Sequence, residues 1–162
     1  MNITIREPGS ALTHFIAMLL ALCAAVPLLV RAAVHSGVKS LTAMTVFMIS
    51  MVLLYAASTI YHSVNCSGRI LRIFRKMDHM MIFVLIAGTY TPKPSGLMLL
   101  AAVWGIALVG IFIKGFWITC PKWFSSVLYI AMGWSCLSVL GQLFSLLPLH
   151  AFLWLLAGGL IY

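Results

Sequence analysis

The chain has 162 residues, of which 64% are hydrophobic and only 7% charged, and its mean hydropathy is +1.14. So few charged side chains cannot clothe a soluble globule, and so much apolar surface cannot stay disordered, which leaves an integral membrane protein. Ten Lys and Arg stand against two acids, Glu7 and Asp78, for a net charge of +8; the basic residues lie between apolar runs instead of forming one stripe, so they serve as topology signals and not as a nucleic-acid surface.

A helix needs roughly 20 apolar residues to cross ~30 Å of hydrocarbon. Runs between charges and turn signals predict spans over 11–34, 41–62, 76–91, 96–113 and 124–143, with a sixth beginning at 151. The fold class expected is all-α, a multispanning transmembrane bundle of five to six helices forming one domain over 1–162. Pro27 is expected to kink the first helix. That first run imitates a signal peptide, and Leu19 to Cys23 resembles a lipoprotein cleavage box, but Leu22 is bulky where a small residue is needed, so no cleavage is expected. The third run is short because Pro92, Lys93, Pro94 and Gly96 interrupt it, so either it tilts little or residues are missing there. The sixth stops after about a dozen residues, too few to span, and the chain is expected to be a C-terminally truncated form. Small residues, namely Ala56, Ala57 and Ser58, or Gly105 and Gly110, are expected to let neighbouring helices approach closely. Cys23, Cys66, Cys120 and Cys136 are scattered and suggest neither a disulfide framework nor a thiolate site.

Basic residues in alternate connections fix an expected orientation. With the N-terminus in the cytoplasm, Arg6, Arg69, Arg72, Arg75, Lys76, Lys114 and Lys122 lie inside and Arg31, Lys39 and Lys93 outside, seven against three. The Arg69 to Lys76 cluster carries most of that bias and is placed to touch anionic headgroups.

Asp78 opens the third run. A carboxylate at that depth costs ~2.5–3.5 kcal/mol on insertion scales and calls for a polar partner. His62 ends the preceding span on the same membrane side, and Ser58 lies four residues before it, on one helical face. His14 falls on that side too, whereas His35 and His150 fall on the other. The chemistry such a cluster suits is a divalent metal such as zinc: an imidazole ligates, a carboxylate ligates or holds a metal-bound water, and a hydroxyl orients that water. One or two histidines do not complete a tetrahedral site, and Ser-x-x-x-His alone is equally a helix end bonded to backbone or headgroups.

Several segments together resemble one family: Glu7 to His14, Ala57-Ser58-Thr59-Ile60-Tyr61-His62, Asp78-His79, Ile86 to Pro92, Leu128 to Trp134, and Gly158 to Tyr162. They run in the order seen in the bacterial hemolysin III family, the prokaryotic arm of the progestin and adipoQ receptor family, itself distantly similar to alkaline ceramidases. The resemblance implies a seven-helix bundle with a cytoplasmic N-terminus and a zinc site near the inner face. It assigns His62 as a zinc ligand, Asp78 as the carboxylate beside the metal's water, and Ser58 as part of the same site. The family's other two ligands come from an H-x-x-x-H motif in the seventh helix, which lies beyond Tyr162, so zinc is expected to be weak or absent in this chain and present in a longer parent. Three functions follow as expectations for a protein of the plasma membrane whose partners are membrane lipids. One is a role in membrane homeostasis as a zinc-dependent amide or ester hydrolase of lipids; the second is a non-enzymatic receptor-like sensor of membrane state; the third is a pore-forming cytolysin.

Overall fold

The computed structural model describes residues 5–66, 68–91, 97–117, 122–135, 137, 141, 144–145 and 148–161. Among them every regular element is a helix: α1 Pro8–His35, α2 Gly37–Ser63, α3 Gly68–Tyr90, α4 Leu97–Phe116, α5 Lys122–Trp134 and α6 Leu149–Ile161. An all-helical answer follows from the solvent, because in lipid each backbone N–H and C=O must be satisfied within its own segment. The 28 residues of α1 reach about 42 Å at 1.5 Å per residue, more than the hydrocarbon is thick. Three helices, Pro8–His35, Gly37–Ser63 and Met98–Phe116, are long and apolar enough to cross a membrane. Their large side chains point outward, as at Leu20, Val26, Leu108 and Phe112, all more than 60% exposed, a surface that suits lipid and not water.

Neighbouring helices run antiparallel. Ser36 alone separates α1 from α2, and the reversal is made by Gly37, whose φ of +73° disfavours any residue with a Cβ. Pro8 occupies the first turn of α1, where its missing N–H costs nothing, and Pro27 lies within a helix that continues to His35. α3 is the central element, packing on α2, α4 and α5. Its contact with α2 is close at Gly88, where a Cβ would stand 2.3 Å from Ser50 Oγ. Gly110 lets α4 approach Phe83 of α3 in the same way, whereas Gly105 faces open space, so of the two expected α4 contacts only Gly110 is one.

The helices differ from the expected spans at α5, which runs Lys122–Trp134 where 124–143 was expected, and at α3, which begins at Gly68 instead of residue 76. Arg69, Arg72 and Arg75 therefore ride on two additional helical turns, not on a loop, and lead directly into Lys76. Arginine is a good helix former, and the junction with the expected span is anchored by side chains: Arg75 Nε donates to Tyr61 Oη at 3.0 Å, and Lys76 Nζ donates to the Gly115 carbonyl at 2.7 Å, capping the end of α4. Pro92 to Gly96, the interruption expected after the third span, lies outside the described residues.

Candidate functional site

The face of α3 that looks toward α2 carries Asp78, Ile82, Leu85, Ile86, Thr89 and Tyr90, at spacings of three and four that place them in one helical stripe. Leu54, Tyr55, Ser58 and His62 of α2 face it, His14 closes it from α1, and Tyr129 and Gly133 close it from α5. Together these residues line a cavity of about 670 Å³, within the range of small-ligand pockets, about 300–1,000 Å³. It is long as well as large: Asp78 and Thr89 are eleven positions apart on one helix, about 16 Å along the axis.

Polar groups gather at one end. Ser58, His62 and Asp78, the three residues singled out in the sequence, all line the cavity, and His14 joins them. Further along, the wall is Leu54, Ile82, Leu85 and Ile86, and the deeper polar groups are spent on backbone. Thr89 Oγ1 donates to the Ile86 carbonyl at 2.7 Å, and Tyr90 Oη donates to the Met132 carbonyl at 2.8 Å. Tyr129 Oη donates to the His79 carbonyl at 2.8 Å, which ties α5 to α3 beside Asp78. The cavity is thus polar at the basic end of the bundle and apolar beyond it.

His62 has a partner that sequence reasoning missed. Its Nδ1 lies 2.5 Å from Glu7 Oε2, so Nδ1–H donates to the other acid of the chain. The backbone reinforces the junction, since the Glu7 N–H donates to the His62 carbonyl at 3.0 Å. Arg6 braces it, with Nε 3.2 Å from Glu7 Oε1 and the guanidinium 4.2 Å from the centroid of the Tyr61 ring. The rings of His14 and His62 stack at 5.4 Å and 13°. Asp78, which the sequence pairs with His62, instead lies 3.8 Å from His79 Nδ1, a pair that is ionic only when that imidazole is protonated. That ring nitrogen also meets the Arg75 carbonyl at 2.7 Å, which holds His79 against its own helix. His35, by contrast, ends α1 at the opposite pole of the bundle.

The Glu7 carboxyl is held below the usual value of 4.5, first by the hydrogen bond from His62 and then by Arg6, against a desolvation that works the other way. A depressed carboxylate contributes stability that is present above its ordinary value and lost as pH falls through the folded one. The side-chain bond between Glu7 and His62 should therefore hold at neutral pH and weaken in acid, while the main-chain bond beside it remains. The Glu7 side-chain carboxyl carbon, followed by ¹³C NMR, should titrate below the usual value of 4.5; a midpoint above that value would contradict this.

Among the described residues no three His, Cys, Asp or Glu side chains converge on a point that would hold a metal ion. His62 keeps Nε2 as its second ring nitrogen, but a zinc centre wants three or four protein donors. These residues by themselves do not fit a zinc ion.

The family model described as Haemolysin-III related matches residues 3–162. Hemolysin-3 of Bacillus cereus is 37% identical over 164 residues, which cover 97% of this chain and 74% of that protein. The Hemolysin-3 homolog of Bacillus subtilis (strain 168) is 36% identical over 167 residues, covering 98% and 78%. No solved structure matches the chain.

Proposed function

Because the chain belongs to the haemolysin-III related family, we propose that it serves membrane homeostasis by acting on a membrane lipid, cleaving an amide or ester bond in the manner of a hydrolase. The observation that carries this reading is the cavity's polarity: His14, Ser58, His62 and Asp78 stand at one end of a slot whose wall continues as Leu54, Ile82, Leu85 and Ile86. An acyl chain suits the apolar length, and its amide or ester carbonyl then meets the polar end. Asp78 is the proton acceptor for an attacking water, and Ser58, buried at 4% exposure, offers its hydroxyl to the carbonyl oxygen.

The bundle is proposed to sit in the plasma membrane with its N-terminus in the cytoplasm, because the junction of Glu7 and His62, the basic turns of α3 and Lys114 share one pole. A maleimide applied outside intact cells should label a cysteine at Lys39 and not one at Arg72; the reverse pattern inverts the bundle.

A cytolytic pore, suggested by the names of the relatives, needs a polar path through the bilayer, and the middle of this cavity is walled by leucine and isoleucine. The hydrolase reading is tested with the purified full chain in lipid nanodiscs, by fatty-acid release from lipid amides and esters. Wild-type protein should release fatty acid and His62→Ala should not. Equal release by both, or none by either while the cellular effect persists, would favour the non-enzymatic sensor.

A further inference from the structure

The strap that precedes α1 does more than begin a helix. Glu7 belongs to no span and makes no contribution to the cavity wall, yet its carboxylate takes the Nδ1 proton of the one histidine that both lines the cavity and stacks on His14. Three independent contacts hold it there: the Glu7 N–H on the His62 carbonyl, Arg6 Nε on the second carboxylate oxygen, and the Arg6 guanidinium over Tyr61, the residue next to His62. A neutral imidazole carries one N–H, and which nitrogen bears it is set by the bond the other makes. With Nδ1–H committed to a carboxylate, Nε2 keeps its lone pair and is left for whatever enters the polar end of the cavity.

We propose that Glu7 is the positioning residue of the site, fixing His62 as the Nδ1–H tautomer with its ring oriented so that Nε2 acts as acceptor or ligand toward the bound molecule. This deepens the reading given above, on which His62 meets the lipid's polar group. The logic is that of carboxylate–imidazole pairs, in which the outer carboxylate sets the tautomer, the orientation and the basicity of the inner ring, and its loss costs about 10- to 100-fold in affinity or activity. The backbone bond from Glu7 to His62 does not depend on the side chain, so a side-chain substitution leaves the strap seated.

The test is nitrogen NMR of the full chain, labelled with ¹⁵N-histidine, in lipid nanodiscs at alkaline pH, with the His62 signals assigned by their disappearance in His62→Gln. Wild-type protein should show a protonated Nδ1 and a bare Nε2. Glu7→Gln, whose amide oxygen still accepts, should keep that signature, whereas Glu7→Ala should give a mixture of the two tautomers. A wild-type His62 protonated on Nε2, or an Ala variant indistinguishable from wild type, overturns the proposal. Fatty-acid release reads the function separately: the tautomer result stands or falls without it. Where release is observed, it should fall about 10- to 100-fold in Glu7→Ala and recover in Glu7→Gln, and equal rates in wild type and Glu7→Ala would overturn the positioning role.

Discussion

Replacing Phe83 with alanine is expected to destabilise the bundle by about 3–5 kcal/mol, the cost of deleting a large side chain from a packed core that cannot fully collapse around the gap. Phe83 is fully buried, in a cluster with Ala87, Tyr90, Val103, Ala107 and Met132 that joins α3, α4 and α5. Its ring stacks obliquely on Tyr129 at 4.5 Å and lies over Gly110, where a Cβ would stand 2.5 Å from Cζ. In lipid such packing carries most of the association between helices, because exclusion from water no longer distinguishes a neighbouring helix from an acyl chain. The same contact predicts a coupling. Gly110→Ala alone should cost about 1–3 kcal/mol by overpacking against the ring, and much less when Phe83 is already alanine, so the two changes should fail to add. Unfolding of the four proteins in mixed micelles measures both quantities; additive losses would mean that the ring and the glycine do not meet.

Asp78→Asn is expected to lower the rate of lipid hydrolysis by about 10²–10⁴, the range in which a positioned general base contributes. The substitution keeps the shape of the side chain and removes the basic oxygen. It should leave folding nearly intact, because the His79 ring nitrogen beside Asp78 is 3.8 Å away and already engaged by the Arg75 carbonyl. Ser58→Ala, which deletes one hydrogen-bond donor, should also slow the reaction while leaving the negative charge in place. Initial rates of fatty-acid release separate the two roles. Hydrolysis unchanged in Asp78→Asn would take the carboxylate out of the chemistry.

The helical class was legible because hydrophobic runs of spanning length permit no other backbone arrangement in a bilayer. That Ser58, His62 and Asp78 share one end was legible for a related reason: a short connection between two spans returns the chain to the same side. The start of α3 was not legible from hydropathy, since Arg69, Arg72 and Arg75 are polar yet form the first turns of the helix, ahead of its apolar run. Nor was the partner of His62. Glu7 is 55 positions away in the chain, and only the tight turn at Gly37, which folds α2 back along α1, brings the two residues together. His79, adjacent to Asp78 in sequence, is drawn off by a carbonyl one turn earlier, a competition that spacing does not display. The long stripe of Ile82, Leu85, Ile86 and Thr89 follows helical periodicity from Asp78 onward. It carried a signal for the cavity wall that a search for charged residues passes over.

The slot itself is the most direct target for experiment. A lipid amide with a photoactivatable diazirine in the middle of its acyl chain, incorporated with the full chain into nanodiscs and irradiated, reports by mass spectrometry which side chains the acyl chain touches. Adducts are expected on Leu54, Leu85 and Ile86, suppressed when Leu85→Trp fills the space. Adducts confined to the outward faces of the helices, at Leu108, Val109 and Phe112, and indifferent to that substitution, would contradict this.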